Sequence, residues 1–225
     1  MGRLRRARTS LLLMLAALVL VGCLPSAPAT GRSTPVRRVL VLGDSMSWGL
    51  FGLSPRLHEP LGRAMSGRRI EVAISGAPGD TPLDPWPGSP TWVDRLRHDV
   101  ATFDPDVVVL QSTLLAGAED PARQAAYRAT FAELFDIAQS RGAHVYTVAH
   151  PTPPGGGELA VRDVVQRLQA EAATGRGIST IPLDWWLARC RGGTITDGWH
   201  LSDAGQGCHA LAITLAVDQL RRQVG

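Results

Sequence analysis

The chain has 225 residues, with 23 arginine and lysine side chains against 20 aspartates and glutamates, a formal charge of +3. Arg3, Arg5, Arg6 and Arg8 all fall in residues 1–22, which hold no acid, so the remainder carries 19 basic and 20 acidic groups, a balance of −1. That balance excludes a global positive field able to recruit nucleic acid, and no basic cluster with interleaved aromatics occurs.

The predicted elements begin with an arginine-rich start and an uncharged apolar run, Leu11 to Val21. The run is too short and one-sided to favour a spanning helix, so residues 1–22 read as a secretory signal. Residues 24–35 are small, polar and proline-rich, with too little apolar surface to fold, and form a flexible tether. Residues 36–225 then suffice for one domain with a full core. Within them Val36–Leu42, Ile70–Ile74, Val107–Leu110, Val145–Ala149 and Ile178–Leu183 are short and rich in Val and Ile, as buried parallel strands are. Helical stretches lie between and after them: Pro55–Met65, Thr91–Phe103, Pro121–Arg141, Leu159–Ala173 and Ala204–Gln223. In the third of these, Ala126, Phe131, Leu134, Phe135 and Ile137 recur at helical spacing. The alternation predicts a three-layer α/β/α sandwich around a five-stranded parallel sheet with right-handed crossovers.

On this plan Ser45, Gly76 to Thr81, Gln111 to Thr113, His150 and Asp184 follow strand ends and share one rim. The loops Pro78–Pro90 and Pro151–Gly157 on that rim are long and proline-rich, as binding-site loops are. The first strand runs through Val41-Leu42 into Gly43-Asp44-Ser45, which delivers a hydroxyl where an open α/β sheet binds its ligands. Near the other end, Asp197-Gly198-Trp199-His200 places an acid three residues before an imidazole. A serine hydroxyl is protonated at neutral pH, so attack needs an imidazole to take its proton and a carboxylate to steady the imidazolium. Taken singly, Ser45 could cap a helix, Asp197 form an Asx-turn and His200 be structural; together they suggest a Ser-His-Asp hydrolase.

The strand-Gly-Asp-Ser turn and the late Asp-x-x-His resemble the SGNH (GDSL) hydrolase family, whose fold is flavodoxin-like. The resemblance covers most of residues 36–223 in order and spacing. It implies that Ser45 is the nucleophile, His200 the general base and then acid, and Asp197 the residue that orients the imidazole. It further implies an oxyanion hole from the Ser45 N–H and a glycine N–H after the second strand, here Gly79 with Gly76 as alternate. The family's third donor, an asparagine after the third strand, is missing: Gln111-Ser112-Thr113 stands there, and the chain contains no asparagine. Gln111 or Thr113 is left to donate, or the hole has backbone donors only.

The end of the leading segment, Leu20-Val21-Gly22-Cys23, resembles the lipobox of bacterial lipoproteins, in which the cysteine becomes the lipidated first residue. An ordinary signal cut near Ala27 or Ala29 is the alternative. With Cys23 lipidated, Cys190 and Cys208 remain, and an exported chain with an even remainder invites a disulfide rather than two buried thiols. No metal-ligand spacing and no cofactor motif appears, so none is expected. Trp48 and Trp199 neighbour the candidate catalytic residues, and Trp86, Trp185 and Trp186 are placed on rim loops, to line a pocket or simply to pack.

The expected protein is an exported serine esterase, lipid-anchored to the outer face of the bacterial cytoplasmic membrane. It would act through an acyl-enzyme on a small ester, glycan or lipid of the envelope. Transfer of the acyl group to a sugar hydroxyl, or a non-catalytic glycan-binding scaffold, are the alternatives.

Overall fold

The computed structural model describes residues 35–48, 57–113, 115–150, 159–192, 195 and 200–224. Five strands, β1 (Arg38–Gly43), β2 (Glu71–Gly76), β3 (Val107–Gln111), β4 (His144–Ala149) and β5 (Ser179–Pro182), form one sheet in the order β2-β1-β3-β4-β5. Every neighbouring pair is parallel. Seven helices accompany them: α1 (Ser45–Trp48), α2 (His58–Ser66), α3 (Trp92–Phe103), α4 (Pro121–Gln139), α5 (Leu159–Ala173), α6 (Leu183–Leu187) and α7 (Asp203–Val224).

The uninterrupted apolar strands have the cause the pattern predicts, because both faces of the sheet are covered. Successive residues of one strand serve opposite cores. Val39, Val41, Val107 and Val109 pack with Leu61 and Met65 of α2 and Ile213 and Val217 of α7. Leu40, Leu42, Val108 and Leu110 pack with Trp92 and Leu96 of α3, Phe131 and Phe135 of α4 and Leu168 of α5. The three-layer sandwich is therefore present. Helix starts carry the caps their sequences encode: Thr91 Oγ1 accepts the Asp94 N–H at 3.1 Å, and Asp120 Oδ1 accepts the Ala122 N–H at 2.9 Å ahead of Pro121.

Two local expectations fail. The fifth strand stops at Pro182 rather than Leu183, and Leu183 opens α6 directly; a proline without an N–H ends the ladder there. In α4 the buried stripe is Tyr127, Phe131, Leu134, Phe135 and Ala138, while Ala126 is exposed and Ile137 half-buried. A tyrosine takes the inward place because its hydroxyl donates to the Ala116 carbonyl at 3.0 Å. Among the described residues no helix is long and apolar enough to cross a membrane. The expected signal, Cys23 and all of the tether but Pro35 lie outside the described residues.

Candidate active site

β1 ends at Gly43, and the chain turns at once into α1. Gly43 has no room for a side chain: a Cβ would stand 2.9 Å from the Gln111 carbonyl oxygen and collide with Ser47 Oγ. Asp44 caps the new helix, its Oδ1 accepting the Met46 N–H at 3.0 Å while its carbonyl accepts the Ser47 N–H at 3.0 Å. Ser45 thereby becomes the first helical residue, whose N–H the helix ladder does not use.

The other oxygen of Asp44 receives both the backbone N–H of Thr113, at 2.6 Å, and the Thr113 hydroxyl. Asp44 is fully buried, and burial raises its carboxyl above the ordinary value, against the lowering pull of the Thr113 and Met46 hydrogen bonds and of His200. Thr113 thus ties the turn that carries Ser45 to the end of β3. With its hydroxyl spent on Asp44, it does not stand in for the missing asparagine. Gln111 points under α1, its Oε1 accepting from Ser47 Oγ at 2.8 Å, and its amide nitrogen is buried without a partner among the described residues.

His200 arrives from the far end of the chain. Its Nε2 lies 3.0 Å from Ser45 Oγ, within reach of the hydroxyl proton. Four devices hold the segment that carries it. Leu201 pairs with Ile195 in an isolated antiparallel bridge. Ser202 accepts the Gly205 N–H at 3.1 Å to cap α7 and donates to the Gly192 carbonyl at 2.9 Å. Gln206 Nε2 reaches the Met46 carbonyl at 3.3 Å, joining α7 to α1. Cys190 and Cys208 form the expected disulfide across 18 positions of chain, with Cα atoms 6.2 Å apart. Asp197, expected to orient the imidazole, lies outside the described residues, as do Trp199 and the side chain of Trp48.

The two glycines weighed for the oxyanion differ sharply. Gly76 is the last residue of β2 and lies opposite Gly43 in the sheet register. A Cβ there would strike the Gly43 carbonyl, so its requirement for glycine is close strand approach. Gly79 has φ +76°, the left-handed region, and its N–H makes no hydrogen bond among the described residues. The Trp86 ring covers it, 3.3 Å from where a Cβ would be. Since β2 flanks β1, the loop bearing Gly79 rises at the same rim as Ser45.

Trp185 and Trp186 are not on a rim loop. They belong to α6 and line a groove of about 520 Å³ with Tyr146, Ile181 and Leu215, among residues of β5 and α7. Among the described residues no group of three or more His, Cys, Asp or Glu side chains could hold a metal ion.

Residues 41–208 match the model of the GDSL-like lipase/acylhydrolase family. No curated protein is significantly similar to the chain. Solved structures are similar in fold. A family 3 carbohydrate esterase of Clostridium thermocellum is 17% identical with a TM-score of 0.59, over 84% of this chain and 99% of that one. An acetylxylan esterase from Geobacillus stearothermophilus, solved as a catalytic mutant, is 16% identical with a TM-score of 0.61, over 83% and 96%. LAE5, an alpha/beta hydrolase from the metagenome of Lake Arreo, Spain, is 17% identical with a TM-score of 0.63, over 84% and 98%.

Proposed function

The chain belongs to the GDSL-like lipase/acylhydrolase family and is an ester hydrolase, and from that premise we propose an extracytoplasmic serine esterase that works through an acyl-enzyme on Ser45. The observation that carries this reading is the 3.0 Å separation of Ser45 Oγ and His200 Nε2. His200 accepts the hydroxyl proton as Oγ attacks the ester carbonyl carbon. The carbonyl oxygen, now negative, receives the N–H groups of Ser45 and Gly79. Collapse of the tetrahedral intermediate breaks the ester C–O bond, and His200 returns its proton to the leaving alcohol. Water, deprotonated by His200, then attacks the acyl-enzyme and frees Ser45. Asp197, three residues before the base, orients the imidazole and stabilises its charged form.

The substrate class follows more weakly from likeness of fold. Two similar structures are named a carbohydrate esterase and an acetylxylan esterase, so acylated glycans of the envelope are the first substrates to try, with lipids second. The lipid anchor at Cys23 and the tether to residue 35 suit this setting. Pro35 precedes β1 at the end of the sheet opposite Ser45, which leaves the catalytic rim turned away from an anchored end.

A fluorophosphonate probe tests the core of the reading: the wild-type protein should be labelled and Ser45→Ala should not. A folded wild type that stays unlabelled would remove the acyl-enzyme. Incorporation of a fatty-acid analogue should vanish in Cys23→Ala, and its persistence would refute the anchor. Acetate release from acetylated glycan, compared with release of long acyl chains from lipid esters, decides the substrate class.

A further inference from the structure

Between β2 and α3 the chain makes a loop, residues 77–91, that carries the Gly79 N–H without regular secondary structure to hold it. A catalytic donor must sit within a few tenths of an ångström of its place, which loops alone rarely achieve. This loop is held by a buried charge. The Asp80 side chain is wholly inaccessible, and its Oδ2 lies 2.5 Å from Nη2 of Arg95, a guanidinium on α3 that is itself only 12% exposed. Asp80 Oδ1 accepts the backbone N–H of Trp86, the residue whose ring covers Gly79. The Asp80 N–H closes a turn on the Ala77 carbonyl at 3.3 Å, and Arg95 Nη2 also donates to the Pro90 carbonyl at 3.2 Å. One carboxylate therefore links both limbs of the loop to a rigid helix, at the residue next to Gly79.

Burying a carboxylate and a guanidinium is an inefficient way to stabilise a fold, since apolar replacements of similar volume often do as well or better. What such a pair does supply is a fixed direction. We propose that Asp80 and Arg95 are a positioning pair for the ester hydrolysis, holding the Gly79 peptide so that its N–H faces the oxyanion that forms at Ser45. The inference rests on the acyl-enzyme reading above. With the asparagine donor absent and Thr113 bonded to Asp44, a hole built from two backbone N–H groups depends heavily on how the loop-borne one of the two is fixed. Ser45 is set by a helix; Gly79 is set by this pair.

The test uses the full chain in three forms: wild type, Arg95→Met, and the double variant Asp80→Asn with Arg95→Met, which leaves no unpaired charge if the single variant fails to fold. Cooperative thermal melting establishes folding. For a folded variant, kcat for p-nitrophenyl acetate should fall about 10–100-fold with KM within about twofold, a fraction of what losing a whole donor costs. The rate of fluorophosphonate labelling at Ser45 should fall in parallel, because phosphonylation also develops charge on an oxygen in that hole. Arg95→Lys should recover part of kcat. Folded variants with wild-type kcat and labelling rate, or with a raised KM alone, would overturn the assignment. A wild type that is never labelled at Ser45 would overturn it together with the acyl-enzyme reading, and so marks the other failure.

Discussion

Acid should destabilise this protein through identifiable buried imidazoles, His209 first among them. His209 sits on the inward face of α7 with no exposed surface, and neither ring nitrogen has a hydrogen-bond partner among the described residues. Burial lowers its pKa to about 3, from an ordinary value of 6.5. The nearby His150, likewise buried, is pushed well below 6.5 by desolvation first and then by His209 and Arg162. The folded state therefore keeps His209 neutral while the unfolded chain protonates it below pH 6.5. Because the unfolded state then binds the extra proton, stability is complete above 6.5 and falls with pH from there down to about 3. The slope is about 1.4 kcal/mol per pH unit for one group, so His209 alone removes about 3 kcal/mol at pH 4.5. Against a total of about 5–15 kcal/mol for a domain, that is a large share. Urea unfolding followed by tryptophan fluorescence, at constant ionic strength and several pH values from 7.5 to 4.5, measures it. His209→Leu keeps the volume apolar and removes two unsatisfied nitrogens, so it should unfold with a shallower pH dependence, by about 1.4 kcal/mol per unit. If wild type and His209→Leu lose stability in parallel as pH falls, the buried neutral imidazole is refuted as the cause.

Three further outcomes follow from contacts described above. Gly76→Ala drives a methyl group into the Gly43 carbonyl and should cost about 3 kcal/mol or more, read as a lowered urea midpoint. Thr113→Val removes a hydroxyl bond to the Asp44 carboxylate and should cost about 2 kcal/mol in the same measurement, with Thr113→Ser restoring most of it. Opening the Cys190–Cys208 bridge by reduction or by Cys190→Ala should cost about 3 kcal/mol for a loop of this length. The melting temperature would then drop by roughly 6–12 °C. A melt unchanged by reduction would show that the bridge constrains nothing the fold does not already fix.

The sheet was legible because its cause is written in each strand: a run such as Val107-Val108-Val109-Leu110 has no polar face and must be covered on both sides. Ser45 and His200 were legible because their partner residues stand in short, ordered blocks. The supports of the site were not. Thr113 meets Asp44 across 69 positions and Asp80 meets Arg95 across a loop, and neither pairing leaves a periodic or contiguous trace in the sequence. A fifth strand that runs to Leu183 leaves Trp185 and Trp186 on the rim; a helix that starts there turns both indoles to the flank of β5. The buried place of Tyr127 was equally hidden, since it depends on a carbonyl eleven residues away accepting its hydroxyl.

Ser45 and His200 are 155 positions apart, and the Gln206 strut to Met46 spans 160. At a synthesis rate of about 5–20 residues per second, roughly 8–30 s pass between the making of Ser45 and the making of His200. Throughout that interval the growing chain has its reactive hydroxyl but no group to deprotonate it. A product truncated before His200 would remain in the same condition. Esterase activity in this protein thus requires that the segments carrying Ser45 and His200 have both been made and have met, and the cell is spared a working hydrolase on a chain that has only the first of them.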